Sequence, residues 1–152
     1  MRIHKVGTSL AGLLAAVGLL GAAAFVVVGA PLGYFLFEYG CGAEEDRLGE
    51  VLAGESVLGA GPEGAGEGEP YQGCDDDDLF VVAGTSYTYG GPRESVLAHY
   101  RKAALAEGWR VRTKDCFAKR IDGTTAYLTV EGPTDGSLQV EIVADRDDSD
   151  WC

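Results

Sequence analysis

The sequence has little histidine, and this limits the catalysis that the chain can perform. Only His4 and His99 occur among 152 residues. A Ser-His-Asp or Cys-His arrangement needs a histidine as its base, and only His99 follows the long N-terminal apolar run. On a helix, His99 would lie about 200° around from Leu97, so we expect it to be an exposed surface residue. We therefore expect no catalytic residues and no enzymatic activity.

Motifs that hold phosphates or metals are missing as well. The chain has no phosphate-binding glycine loop, no G-x-S-x-G elbow and no H-E-x-x-H pair. Its cysteines are all more than thirty residues apart, which disfavours a tetracysteine zinc site. Two acidic runs, Asp75 to Asp78 and Asp145 to Asp150, suggest calcium, but neither has EF-hand spacing, and solvated acidic segments are the favoured interpretation. We expect no cofactor, no metal and no nucleic-acid partner.

Charge is absent from a long N-terminal stretch. No Asp, Glu, Lys, Arg or His occurs from Val6 to Phe37, which exceeds the roughly 20 residues that a helix needs to cross a bilayer. Basic Arg2 and Lys5 precede this stretch and acidic residues follow it, and basic flanks stay on the cytoplasmic side. The sequence predicts a single-pass protein of the cell membrane, embedded in the lipid bilayer, with residues 1–9 in the cytoplasm, a transmembrane anchor over 10–37 and the C-terminal domain extracytoplasmic.

Two other interpretations of the apolar stretch are weaker. Ala22 and Ala24 form an A-x-A pattern typical of a cleaved signal peptide, but cleavage there would leave an apolar segment at the new N-terminus with nothing to bury it. Cys41 lies where bacterial lipoproteins carry a lipid, yet of the residues before it only Gly40 fits a lipobox. A retained anchor is the simplest interpretation.

The acidity of the chain is concentrated outside its central segment. The net charge is −12, and residues 38–78 hold thirteen acidic residues and one basic residue. This segment is also rich in glycine, which predicts a flexible acidic stalk over 38–78. Within it, Leu48, Val51 and Leu52 share one face of a short helix. Residues 145–152 form an acidic tail.

Residues 79–144 have the pattern of a packed α+β domain. A strand is expected over 79–89 with a bend at Gly84, and a helix from Pro92 to Gly108. The helix buries a stripe at spacings of three and four residues. Its members are Val96, Leu97, Tyr100, Ala103 and Ala104.

Three further strands complete this domain. Strict alternation over Trp109 to Lys114 predicts a half-exposed strand. Asp122-Gly123 predicts a two-residue type I′ hairpin with Phe117 opposite Leu128 and Ile121 opposite Thr124 on the core side. A last strand places Leu138, Val140 and Ile142 inward. The order β-α-β-β-β predicts one helix packed on a mostly antiparallel sheet.

Five basic residues are the main candidate for a binding surface. They are Arg110, Arg112, Lys114, Lys119 and Arg120. At least three share one strand face, which makes a patch for an anionic partner such as an acidic protein segment, lipid headgroups or wall polymer. The competing interpretation is a solvated strand face, screened by the chain's own Asp75 to Asp78, and this interpretation is favoured.

The four cysteines follow the apolar stretch and predict two disulfides, because small extracytoplasmic domains use such bridges. Four cysteines allow three pairings, and spacing does not choose among them. We favour Cys41 with Cys74 and Cys116 with Cys152, because the second bridge would hold the C-terminal tail against the hairpin.

Several short motifs resemble those of one group of proteins. They are Val96-Leu97-Ala98-His99-Tyr100 with Gly108-Trp109, Cys116-Phe117-Ala118-Lys119, and Asp122-Gly123-Thr124-Thr125. In these, residues 79–144 resemble small extracytoplasmic proteins of actinobacteria that have an N-terminal membrane or lipoprotein anchor and no assigned activity. The resemblance implies the setting and the fold, and it carries no catalytic residues.

Two functions are compatible with these features. The first is a membrane-anchored module that binds or senses something outside, with an envelope protein or an anionic wall polymer as partner. The alternative is an accessory or structural subunit of a larger envelope complex. Small residues in the apolar stretch, such as Ala11, Ala15 and Gly18, would suit helix pairing, but the high Gly and Ala content of the stretch explains them better.

Overall fold

The structure is a computed structural model that describes residues 40–152. The predicted cytoplasmic N-terminus and transmembrane anchor lie outside the described residues. No helix within 40–152 has both the length and the apolar character to span a bilayer. The elements of this part, in chain order, are α1 (Ala43–Ala53), a 3-10 turn (Ser56–Gly59), β1 (Glu69–Cys74), β2 (Val81–Thr88), α2 (Arg93–Ala106), β3 (Arg110–Val111), β4 (Cys116–Ile121), β5 (Thr124–Thr134) and β6 (Ser137–Ala144).

The six strands of this part form one sheet in the order β1-β2-β6-β5-β4-β3. Every neighbouring pair is antiparallel. The last strand, β6, lies between β2 and β5, and α2 carries the chain from β2 to the far edge of the sheet. The predicted α+β class with a mostly antiparallel sheet is confirmed.

Both helices and one sheet face share a single hydrophobic core. Leu48 and Leu52 of α1 and Val96 and Tyr100 of α2 belong to the same buried cluster as the inward residues of the sheet. Each fully buried aliphatic or aromatic side chain stabilises the fold by roughly 1.5–3 kcal/mol relative to its exposed state, as an upper estimate. The helices therefore cover the same face, and the other face, called the open face below, has no helix among the described residues.

The structure departs from the predicted stalk over residues 43–74. This segment forms α1, the 3-10 turn and β1, and Leu52 and Val57 are fully buried. Helix α1 begins where Glu45 accepts a hydrogen bond from the Gly42 backbone N–H at 2.8 Å, and its acidic first turn suits the helix dipole. The predicted face is correct for Leu48 and Leu52, whereas Val51 is 38% exposed. The domain thus has two helices on its sheet, one more than predicted.

Glycines in the predicted stalk allow it to pack closely. A Cβ at Gly61 or Gly68 would stand 2.8 or 2.7 Å from the Tyr87 ring. Tyr87 is buried, and its hydroxyl donates a hydrogen bond to the Leu58 carbonyl at 2.5 Å. The glycines here permit close contact with an aromatic ring. A prediction of flexibility from glycine content does not include this contact.

The predicted hairpin is confirmed in register. Asp122 and Gly123 have φ of 46° and 88°, as a type I′ turn requires. Phe117 pairs with Leu128 and Ile121 with Thr124, and all four are buried.

Helix α2 and its end also match the prediction. It spans Arg93–Ala106, with Pro92 just before it. Gly108 has φ 85°, and the Trp109 N–H donates to the Ala104 carbonyl at 3.0 Å. Of the predicted stripe, Val96, Tyr100 and Ala104 are buried; Leu97 and Ala103 are partly buried against the core.

Two strand predictions need correction. Strand β2 continues through Gly84 with no break, because it pairs with β6 along its whole length. Tyr71 of β1 lies over that glycine, where a side chain would not fit. Leu79 lies outside the strand and is 41% exposed. Strand β3 is only Arg110–Val111, because the chain then turns so that the Arg112 and Thr113 N–H groups both reach the Cys116 carbonyl.

Candidate functional site

Two disulfides join distant parts of the described chain. Cys41 bonds Cys74, with Cα atoms 6.2 Å apart, and Cys116 bonds Cys152, with Cα atoms 5.9 Å apart. This is the pairing favoured from the sequence. The first bridge fastens the residues before α1 to the end of β1, and the second holds the C-terminus to β4. Because the Cys41 thiol is used in a bridge, it does not carry a lipid in this structure.

The acidic tail is an ordered part of the open face. Asp145 is 5% exposed, and Trp151, which lies 5.0 Å from the Phe80 ring, donates its indole N–H to Asp145 at 3.0 Å. Burial opposes ionisation of Asp145, but hydrogen bonds from Ser149 and Trp151 outweigh it and lower its pKa. The tail is therefore folded onto the sheet and is not a solvated extension.

The structure divides the five predicted basic residues between three environments. Arg120 alternates with the core residue Ile121 and so points to the open face. Arg110 pairs with Ala118, on that same face. Together with Arg112 they line a cavity of about 190 Å³. Arg110, Arg112 and Arg120 are called the basic strip below.

Lys119 and Lys114 do not belong to this strip. Lys119 pairs with the buried Ala126 on the helix-covered face. There its ammonium lies 2.6 Å from a Glu55 carboxylate oxygen and 5.5 Å from the centre of the Trp109 ring. Lys114 is exposed in the turn after β3.

The C-terminal tail neutralises two members of the basic strip. Arg112 lies 3.0 Å from Asp150, and Arg120 lies 2.8 Å from Asp148. The carboxylates that pair with these two arginines thus belong to the tail, a pairing that the sequence did not predict. The second disulfide is the sequence feature that could have indicated this, because a tail held at Cys116 brings its last aspartates near Arg112 and Arg120, which lie four residues to either side of that cysteine.

Asp148 is held by more than its ion pair. Its carboxylate accepts hydrogen bonds from the Thr125 backbone N–H at 2.6 Å and from the Thr124 hydroxyl at 3.0 Å. Arg120, followed by these donors, holds the pKa of Asp148 well below its ordinary value. The sequence places Thr124 and Thr125 in the hairpin but does not predict this contact, because nothing local marks them as donors to the tail.

A second polar cavity, of about 390 Å³, lies beside the second disulfide. Arg93 contacts Asp115 at 2.9 Å and donates to the Gly132 carbonyl. The hydrogen bond from Thr113, followed by its other favourable interactions, lowers the pKa of Asp115 despite partial burial. Arg93 and Asp115 both line this cavity and are already paired with each other. This ion pair fastens the start of α2 to the turn after β3.

His99 is not the freely exposed residue expected from the sequence. It is half-buried, and its Nε2 lies 2.6 Å from the Ala60 carbonyl oxygen. Its ring also meets Tyr100 edge-on, at 5.0 Å between centres. His99 is covered because the segment after the 3-10 turn packs against α2, which a flexible stalk would not do. His99 therefore joins two elements of the fold.

The acidic run Asp75 to Asp78 forms a turn. Asp75 accepts hydrogen bonds from the Asp77 and Asp78 N–H groups at 3.0 and 2.9 Å, and Asp76 accepts one from the Cys41 N–H at 2.9 Å. No group of three His, Cys, Asp or Glu residues within 40–152 is arranged to hold a metal ion.

Comparison with known proteins adds no relative: no family model, no curated protein and no solved structure matches the chain. Its function is therefore argued from the chemistry of its own residues.

Proposed function

We propose that the chain is a membrane-anchored extracytoplasmic module that binds or senses a partner outside the membrane. The observation that carries this proposal is the pair of disulfides in residues 40–152. Such bridges form and persist in oxidising compartments. The apolar stretch ends at Phe37, four residues before Cys41, so the oxidised domain begins where the anchor ends.

A binding role is supported by the surface of the domain. The open face carries the basic strip, and charged clusters of one sign raise the local concentration of oppositely charged partners. His99 uses Nε2 at the Ala60 carbonyl, so its placement favours a structural role over that of a base. An envelope protein with an acidic segment and an anionic wall polymer are the partner classes that fit this surface.

The topology can be tested in intact cells of a host that expresses the full chain. A membrane-impermeant maleimide applied after mild external reduction should label the four cysteines, because the proposal places them outside. An N-terminal epitope tag should resist external protease in the same cells. The mass of the mature protein should show that residues 10–37 are retained.

Two outcomes would contradict this proposal. Thiols that react only after the cells are broken would place the domain in the cytoplasm. A mature protein that begins near Phe25 would show a cleaved leader in place of an anchor. Crosslinking in native membranes, followed by identification of the partner, would distinguish a binding module from a subunit of a permanent complex.

A further inference from the structure

The Asp148 carboxylate occupies a site with three kinds of donor. These are the Arg120 guanidinium at 2.8 Å, the Thr125 backbone N–H at 2.6 Å and the Thr124 hydroxyl at 3.0 Å. A guanidinium combined with directed N–H and O–H groups forms charge-assisted hydrogen bonds, which are the strong ones for a carboxylate. The hairpin that carries both threonines is fixed by its type I′ turn, so the Thr125 N–H stays in place whether or not Asp148 is there. The Thr124 hydroxyl has one proton, which it shares between Asp148 and the Asp145 carbonyl oxygen.

The tail carboxylates neutralise only two of the three arginines of the site. The structure gives Arg110 no ion pair within residues 40–152, while Arg112 and Arg120 each have one. The cavity of about 190 Å³ lies between these three arginines above the small side chain of Ala118. An incoming acidic group can therefore approach Arg110 before it displaces the tail.

The tail is held in a way that allows exchange. The side chains of Asp148 and Asp150 are 48% and 60% exposed, and their arginine partners are similarly open to water. Exposed ion pairs are individually weak because solvent and salt screen them. The segment stays attached at both ends, through buried Asp145 and through the Cys152 disulfide.

We propose that the basic strip, with Thr124 and Thr125, is a binding site for an acidic peptide segment, and that the C-terminal tail is its built-in competitor. This inference rests on the proposed function, because the acidic segment would belong to the partner outside the membrane. The site recognises two carboxylates two residues apart, which is the spacing of Asp148 and Asp150 in the tail that fills it.

A peptide is favoured over a wall polymer by the occupant itself. Asp148 and Asp150 belong to one stretch of backbone, and each meets a different arginine. The Thr125 N–H and an Arg120 N–H both reach the same Asp148 oxygen, Oδ1. The segment that fills the site is thus a stretch of this chain's own backbone, which sets the separation between its two charges.

The test measures binding of an acidic peptide to the full chain in a neutral detergent. The probe is an acetylated and amidated peptide with the sequence of residues 147–150. Its dissociation constant is measured by isothermal titration calorimetry at low salt. A tethered competitor acts at an effective concentration near millimolar, so its removal should tighten binding about tenfold. Asp148→Asn should show this gain, and Asp150→Asn a smaller one.

A matched control is available in the same tail. Asp147→Asn removes the same charge, yet the structure gives the Asp147 carboxylate no hydrogen bond or ion pair within residues 40–152, so this variant should bind as the parent does. In the Asp148→Asn background, Arg120→Gln should abolish the gain. Arg101→Gln, on the exposed side of α2, should preserve it.

Three results would overturn the inference. One is equal affinity of the Asp148→Asn and Asp147→Asn variants for the peptide, when both variants have the same unfolding temperature as the parent. Another is full binding by the Arg120→Gln variant. The third is binding of polyphosphate, or of phosphatidylglycerol vesicles, by Asp148→Asn with none of the peptide. Because these measurements use purified protein, they succeed or fail independently of the topology experiment.

Discussion

At the scale of single residues, two glycines in one loop illustrate how local geometry restricts sequence. Gly132 and Gly136 both have positive φ, 92° and 79°. A Cβ at Gly132 would stand 2.5 Å from the Ser137 carbonyl oxygen, whereas a Cβ at Gly136 would meet nothing within 4 Å. At both positions the backbone conformation would strain any residue with a side chain. The positions differ in how much space a side chain would have.

This difference gives the first prediction. Gly136→Ala should lower the free energy of unfolding by about 1–2 kcal/mol, which is the cost of a side chain in the left-handed region. Gly132→Ala should lower the free energy of unfolding by about 1–3 kcal/mol more than Gly136→Ala does, because a backbone oxygen must move. Urea denaturation of both variants measures the gap, and equal losses would contradict the geometry.

A buried carboxylate gives the second prediction. The folded-state pKa of Asp145 lies below its ordinary value of 3.8, so the folded protein holds its proton less tightly than the unfolded chain does. The stabilisation is complete above the unfolded value and is lost as pH falls through the folded one. The free energy of unfolding should fall as pH drops below about 4, and this loss should be smaller in Asp145→Asn.

The control for this pH dependence lies two residues away. Asp147→Asn should retain the acid-induced loss of the parent. Denaturant titrations between pH 3 and pH 6 would measure it, and identical curves for Asp145→Asn and the parent would contradict the assignment to Asp145.

At the scale of elements, α1 is the part of the fold that amino-acid composition does not predict. Its exposed side is acidic, and the glycine-rich segment after it looks like a spacer. Yet Leu48 and Leu52 are fully buried between the helix and the sheet, and β1 pairs with β2 along its whole length. The element is stabilised by contacts with residues far away in sequence.

A pair of neighbouring residues tests this packing. Leu52→Ala should cost about 2–5 kcal/mol, the usual range for a buried leucine, while Val51→Ala should change stability by less than about 0.5 kcal/mol. The two residues are 0% and 38% exposed. Similar small effects in urea denaturation would mean that α1 does not pack on the sheet.

At the scale of the whole molecule, the disulfides restrain both ends of the described chain. Their loops are of similar length, with sequence separations of 33 and 36. Loop-closure entropy therefore predicts similar stabilisation, roughly 3–4 kcal/mol for each bridge. The bridges differ in what they hold: one fastens the residues before α1, and the other fastens the tail over the basic strip.

Removing each bridge separately should show this difference. The Cys41→Ala/Cys74→Ala and Cys116→Ala/Cys152→Ala variants should lose similar free energy of unfolding. Hydrogen exchange at residues 145–152 should accelerate only in the second variant, because only there does the tail lose its attachment. Acceleration of the tail in both variants would contradict the separate roles.

Particular elements show why some features were predictable and others were not. The Asp122-Gly123 hairpin and the end of α2 at Gly108 depend on backbone preferences of a few consecutive residues, so the sequence predicts them well. Strand β1 has no such signal: Pro70 and two glycines near it weaken its pattern, and it exists because β2 offers a partner. Lys119 and Arg120 are neighbours in sequence, but successive side chains of a strand point to opposite faces of the sheet.

The sequence by itself determined the local features of this protein: its turns, its helix ends, the alternation of β4 to β6 and the even set of cysteines on one side of an uncharged stretch. The tertiary structure decided the rest, namely that residues 43–74 join the core and that the tail aspartates meet Arg112 and Arg120. The physical reason is range. Local preferences act between residues a few positions apart, whereas the partners of a strand, a helix or a charge are set by which distant segments can together bury apolar surface and satisfy their backbone hydrogen bonds.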